Sequence, residues 1–374
     1  MAISLAEFER RYAAIRESMG TDNLDCLLVY GLPDDFNRGN VRYITGSGRG
    51  GCCVFPPEGN PVLLAGINQS RSAKLRKTVG AFDILDIKDT DDNVRKVVEE
   101  LSRFYNRGLI GVAGIGCMPV PMYLAVKERF GDRLVDAGII LERLREIKSP
   151  EEIEQIRQAA SVADSVYAML RNTVRPGLSE FEIYAAVKRT VYEAGCEYSF
   201  DLIDAAGATM NMSFYPTGDR LEAGGTLFME ITPACDGYYA QLPVTLPVTG
   251  YPPHVKKMVN AWARADEVAR KVLKPGTRVS DLYRVLIEAV RENGFISPYR
   301  PGHAIGLDAL DFWSITGDSD RVLKEGMVIA VHPSVMLEIG GDGCGMGYTY
   351  LITGEGAERM SKVDLADELL GKGS

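Results

Sequence analysis

Val174-Arg175-Pro176-Gly177 runs into a helical stretch that closes on Gly195, and Leu273-Lys274-Pro275-Gly276 runs into another that closes on Gly294. From Pro to terminal Gly is 19 residues in both cases, and Tyr184 and Tyr283 occupy the same place in each copy. Pro-Gly supplies a turn, the helix offers an apolar face, and the closing Gly suits a left-handed C-terminal cap. Two such units point to a duplicated α+β half-domain. The strands expected to follow are Ser199–Ala205 and Thr226–Thr232 in the first half, and Met327–Val331 and Tyr348–Thr353 in the second. Two halves of this kind are expected to close around a shared cleft.

Upstream, Leu144-Arg145-Glu146-Ile147-Lys148 meets Ser149-Pro150-Glu151-Glu152. Ser149 at the N-cap, Pro150 at the first helical position and Glu152 three residues on form a capping box. Ile153, Ile156, Ala160, Ala163, Tyr167 and Leu170 then share one helical face. A second domain is therefore expected over 149–374, after a first over 1–145. In the first, helical periodicity over 5–18 is followed by strands at 24–30 and 40–45 and a hairpin of 52–55 with 62–65. A strand at 82–87, a helix near 94–105, a strand at 109–114 and a helix at 121–130 come next. Alternating strands and helices predict a small α/β domain.

Composition bounds the function. The chain has 374 residues, 46% hydrophobic and 25% charged, which excludes a disordered or collagenous protein. With 42 Lys+Arg against 51 Asp+Glu the net charge is −9, which opposes general binding to a nucleic-acid backbone, so no nucleic-acid partner is expected. The seven cysteines are odd in number, widely spaced and lack a Cys-x-x-Cys, and reduced thiols in a cytoplasmic protein are expected. The N-terminus carries early acids and no apolar core of a signal peptide, and no run is long enough to span a membrane.

The order of Asn40–Gly46, Leu144–Glu152, Phe228–Thr245, Pro301-Gly-His-Ala-Ile-Gly306, Val331-His-Pro-Ser-Val-Met-Leu337 and Gly354–Glu358 resembles the "pita-bread" superfamily of aminopeptidase P, prolidase, methionine aminopeptidase and creatinase. The resemblance implies an α+β pita-bread C-terminal domain of two pseudo-symmetric halves, preceded by a smaller α/β N-terminal domain. It also implies a homodimer in which that N-terminal domain nears the partner's active site. The superfamily's peptidases hold two divalent metals on Asp, Asp, His, Glu and Glu. Those positions fall here on Glu230, Gln241, His303, His332 and near Gly347. Two closely spaced ions need bridging carboxylates, so neither metal nor cofactor is expected. Loss of the ligands makes the chain resemble the metal-independent creatinase branch, although creatinase's own functional positions fall on Ser213, Pro243, His332 and Ser314.

Of the three His, His303 lies between glycines and His332 lies at the end of a strand before Pro333, both suited to a cleft, whereas His254 reads as a surface residue. Imidazole suits proton transfer near neutral pH, and two adjacent imidazolium ions repel, so at least one is expected neutral. Glu230 is expected to orient an imidazole or to act as base. These three are the catalytic candidates. Asn211, Ser213, Tyr215, Tyr239, Gln241 and Tyr348 are candidate neutral substrate contacts, and Arg49 and Arg42 are candidate grips on a substrate carboxylate. The expected function is metal-independent hydrolysis of a non-peptide C–N bond in a small carboxylate-bearing amide, amidine or lactam-like compound. The rivals are a lyase, decarboxylase or isomerase using the same cleft, and an inactive binding protein of the same fold.

Overall fold

A computed structural model describes residues 3–47, 50–66, 82–208, 210 and 212–371. The chain divides into two compact units, Met1–Glu151 and Glu152–Ser374.

In the first unit, β1 (Leu24–Gly31), β2 (Gly51–Phe55), β3 (Val62–Gly66), β4 (Asp83–Ile87), β5 (Leu109–Ala113) and β6 (Leu134–Asp136) form one sheet in the order β4-β3-β2-β1-β5-β6. β1 pairs antiparallel with β2 and parallel with β5. Helices Thr90–Phe104 and Val120–Phe130 contribute Val97, Leu101, Met122 and Val126 to the core over Leu28, Val54, Leu64 and Val112. The strand expected at 40–45 is instead a helix, Gly39–Thr45. Val41, Ile44 and Thr45 are buried, and Gly46 takes a left-handed φ of 65° to end it, a C-terminal signal that outweighs the β-branched residues.

The second unit bears out the duplication bond by bond. Its strands are β7 (Tyr198–Ser199), β8 (Leu202–Asp204), β9 (Thr226–Ile231), β10 (Pro233–Cys235), β11 (Tyr238–Tyr239) and β12 (Leu242–Pro247) in the first half. β13 (Gly302–Ala304), β14 (Val328–Val331), β15 (Ser334–Met336), β16 (Gly343–Gly345), β17 (Tyr348–Ile352) and β18 (Ala357–Arg359) form the second. Helices Pro150–Thr173 and Glu180–Glu193 precede the first set, and Pro253–Val272 and Val279–Glu292 the second. The Gly177 N–H donates to the Leu221 carbonyl at 2.8 Å, and the Gly276 N–H to the Leu323 carbonyl at 2.9 Å. Gly195 and Gly294 both close their helices at φ 83°. The isolated bridge Ile203–Ser213 is matched by His303–Ser314. His303 thus occupies the place that Ile203 holds in the first half.

The halves meet through β12 and β17. The Gln241 N–H donates to Thr349 Oγ1 at 2.8 Å, and Thr349 Oγ1 donates back to the Gln241 carbonyl at 3.0 Å. Tyr238-Tyr-Ala-Gln-Leu-Pro-Val244 interleaves polar and apolar residues as one strand would, yet the chain changes sheets there. β11 pairs with β10 and β12 with β9, leaving Ala240 and Gln241 at the corner with both sides buried. Cys196 and Cys235 form a disulfide, against the expectation of reduced thiols throughout. It ties the end of helix Glu180–Glu193 to β10. Among the described residues no helix is long and apolar enough to cross a membrane.

Candidate active site

Glu230 sits on β9 opposite Leu202 of β8 and Pro243 of β12. The sheet change at Ala240–Gln241 brings the Gln241 amide back to it, and Gln241 Nε2 donates to Glu230 Oε1 at 2.7 Å. From the second half, His303 on β13 and His332 just after β14 bring their rings to 5.1 Å between centroids, edge to face. The His332 N–H donates to the Pro301 carbonyl at 2.8 Å, which locks the two histidine segments together. The Ala304 carbonyl lies 3.0 Å from His303 Nδ1; a carbonyl only accepts, so Nδ1 carries the proton and Nε2 the lone pair.

Burial dominates the electrostatics. It raises the Glu230 carboxyl to about 7; Asp201 reinforces the rise, while Arg300 and the Gln241 hydrogen bond oppose it. It lowers the His303 imidazole to about 4, and it holds His332 well below the ordinary 6.5, with the charges of His303 and Arg300 adding to the effect. At neutral pH both imidazoles are therefore neutral and the carboxyl is poised between its two forms. That combination supplies one carboxyl able to take or give a proton and two neutral imidazoles, of which His303 offers a lone pair at Nε2.

Asp201 belongs to a buried network that sequence reasoning missed. Its carboxylate takes Lys188 Nζ at 2.7 Å, the Ser199 hydroxyl, and the Thr232 N–H at 3.1 Å. Arg300 was missed as well. It stands three residues before His303, and the signal was present in the Tyr299-Arg300-Pro301-Gly302 approach to that histidine.

The remaining candidates scatter. Tyr348 is a core residue: its hydroxyl accepts the Leu365 N–H at 2.7 Å and its ring packs against Trp262 and Tyr350. Tyr239 is fully buried, with its N–H on the Gly306 carbonyl at 2.8 Å. The Ser213 hydroxyl donates to the Tyr215 carbonyl at 2.6 Å, and the Tyr215 side chain stands in solvent. Arg42, a candidate grip on a carboxylate, is buried in helix Gly39–Thr45 of the first unit. Arg49 and Asn211 lie outside the described residues. His254 is half-exposed, its Nε2 2.6 Å from Asp342.

Comparison with known proteins places these features. Residues 154–354 match Metallopeptidase family M24, and residues 11–147 match the Creatinase/Prolidase N-terminal domain. The chain is 26% identical over 230 residues to an uncharacterized peptidase of Staphylococcus aureus (strain USA300), covering 60% of this chain and 65% of that one. It thus spans just under two-thirds of the curated relatives it matches. The fold matches the X-Pro aminopeptidase of Thermotoga maritima MSB8 with a TM-score of 0.83, 21% identity, and 94% and 98% of the two chains. It matches the prolidase of Pyrococcus horikoshii OT3 with a TM-score of 0.80, 22% identity, and 95% and 99% covered. The two-domain pita-bread fold is thereby established. The expected kinship with the metal-independent creatinase branch is overturned, because the matches are to a metallopeptidase family and to prolidase and aminopeptidase structures. Restriction to non-peptide C–N bonds falls with it, since those relatives are peptidases.

The family implies a metal centre, and the residues present do not fit a paired one. Glu230 already accepts the Gln241 amide, and His332 offers an imidazole where bridging needs a carboxylate. At Gly347 a Cβ would fall 2.5 Å from His332 Cβ, so no side chain fits there at all. Among the described residues no group of three or more His, Cys, Asp or Glu is placed to hold an ion.

Proposed function

Because the chain belongs to metallopeptidase family M24, we propose that its second unit is a hydrolase that opens a peptide-type amide bond of a small substrate in the pita-bread cleft, with Glu230, His303 and His332 as its acid–base groups. What supports this reading is a pair of neutral imidazoles with ring centroids 5.1 Å apart in the second half, together with a buried carboxyl on β9 of the first half that is raised to about 7. The ionised Glu230 takes a proton from water as the water oxygen bonds to the amide carbon. His303 Nε2, which carries a lone pair, accepts a hydrogen bond from the same water and aligns it. The C–N bond then breaks, and the proton held by Glu230 passes to the leaving nitrogen. Turnover of Xaa-Pro and other dipeptides by the purified chain tests this. Glu230→Gln and His303→Gln are each expected to lower kcat about 100-fold or more; unchanged kcat in both variants refutes the assignment.

The loss of carboxylates at 241, 332 and 347 favours a second reading, a binding protein of this fold that no longer turns over its ligand. It predicts saturable binding of a small peptide with no product. We further propose a homodimer in which the first unit of one copy nears the partner's cleft. Sedimentation of the intact chain checks the dimer, and a monomer refutes it.

A further inference from the structure

Two threonine hydroxyls clasp the halves together, and one of them acts on the residue that holds Glu230. Gln241 lies in the gap between β11 and β12, outside the ladders of both. Thr349 Oγ1 on β17 takes the place of a ladder partner. It accepts the Gln241 N–H at 2.8 Å and donates to the Gln241 carbonyl at 3.0 Å. Buried main-chain groups need partners, and one hydroxyl that serves both fixes the peptide planes on either side of Gln241. Thr349 is 1% exposed, so no solvent competes for these bonds. The Thr245 hydroxyl treats Gly345 in the same way, at 3.0 Å from its N–H and 3.1 Å from its carbonyl. That second clasp also joins the halves, but it sits four residues further along the chain from Gln241.

The Gln241 side chain has a single hydrogen bond of its own. Nε2 donates to Glu230 Oε1 at 2.7 Å, and Gln241 Oε1 has no partner among the described residues. With no second side-chain bond to orient the amide, the placement of the Gln241 backbone decides where it points. Among the described residues no group donates to Glu230 Oε2. The amide therefore occupies one carboxylate oxygen and leaves the other without a donor.

We propose that Thr349 is a positioning residue. Reaching across from the second half, it holds Gln241 so that the amide caps Glu230 Oε1, and Oε2 is the oxygen that takes the proton from water and returns it to the leaving nitrogen. The role of Oε2 rests on the hydrolytic reading above; the Thr349–Gln241–Glu230 chain itself does not.

The test uses the four glutamines of the sequence, Gln69, Gln155, Gln158 and Gln241. The full chain is labelled with glutamine carrying ¹⁵N in its side-chain amide, and Gln241→Leu identifies the Gln241 signal by its loss. An amide proton bonded to a carboxylate is expected downfield of a water-exposed one. Thr349→Val keeps the shape without the hydroxyl and should move the Gln241 signal to the exposed position. Thr349→Ser should hold it in place, and so should Thr245→Val, which removes only the other clasp. In parallel, kcat for alanyl-proline should fall about 10-fold or more in Thr349→Val and recover to within about 2-fold of wild type in Thr349→Ser. A Thr349→Val protein whose Gln241 signal stays downfield overturns the proposal. So does a Thr245→Val protein that moves the signal equally, or a wild type whose signal already lies with the exposed amides. Should Thr349→Val not fold, Thr349→Ser decides: a retained signal supports the placement and a lost one overturns it. Failure of the hydrolytic reading looks different: the pattern of signals stands while the wild type leaves alanyl-proline intact.

Discussion

Glu230→Gln isolates the central electrostatic claim. The Glu230 carboxyl moves from an ordinary 4.5 to about 7 on folding, chiefly through burial. The folded chain therefore keeps this proton up to about pH 7, whereas the unfolded chain releases it near 4.5. Its contribution to stability is fully present below pH 4.5 and is lost as pH rises to about 7. At about 1.4 kcal/mol per pH unit, the interval is worth about 3 kcal/mol. His303 works the other way. Its folded value of about 4 against an ordinary 6.5 makes its contribution present above 6.5 and lost as pH falls toward 4. The two slopes oppose each other between pH 4.5 and 6.5, so the wild-type curve alone is uninformative and the difference between variants is the measurement. Gln carries no titrating proton and can keep the contact to Gln241. Urea unfolding followed by tryptophan emission reads the second unit, since both tryptophans, Trp262 and Trp313, lie in it. Relative to wild type, Glu230→Gln should gain about 3 kcal/mol between pH 4.5 and 8. A stability difference that stays constant over that range refutes the burial argument.

Two further outcomes are expected. Gly347→Ala forces a Cβ to within 2.5 Å of His332 Cβ, and it should destabilise the second unit by about 1–3 kcal/mol in the same urea experiment; wild-type stability would show that the close approach is not rigid. Reduction of the Cys196–Cys235 disulfide, which spans 39 residues, should lower stability by about 4 kcal/mol on a chain-entropy basis. Cys196→Ser should reproduce that loss and make the protein insensitive to reductant.

The duplicated Pro-Gly helices were legible because both ends of each unit carry residues with little conformational choice. A proline fixes φ before the turn, and a glycine takes the left-handed cap after the helix. The chain at 40–45 was misread because Val41, Tyr43, Ile44 and Thr45 fit a strand by type, while the decision lay with Gly46 and with tertiary burial of one helical face. The switch of sheets at Ala240–Gln241 was invisible for a related reason. Alternation describes a strand solvated on one side, and every residue from Tyr238 to Leu246 is buried. His303, His332 and Glu230 could be named because few residue types do proton chemistry, and the chain has only three histidines. Arg300 is harder to single out, because the chain has 42 Lys and Arg residues and only its place three residues before His303 sets this one apart.

The departures from the peptidase ligand set are physically coupled rather than separate losses. Gly347 precedes β17, and its N–H donates to the Pro243 carbonyl at 3.1 Å, opposite Glu230 on β9. The backbone at 347 is thus drawn against the strand that carries the carboxyl, and His332 fills the space a side chain there would need. A carboxylate cannot be restored at 347 by substitution alone: the glycine permits the close approach, the approach seats His332 beside His303, and the paired neutral imidazoles leave Glu230 and Gln241 as each other's partners. Gly347→Glu in a His332→Glu background is therefore expected to unfold the second unit rather than to rebuild a metal centre. A folded double variant that binds two Mn²⁺ or Co²⁺ ions would show that positions 230, 241, 332 and 347 are independent of one another.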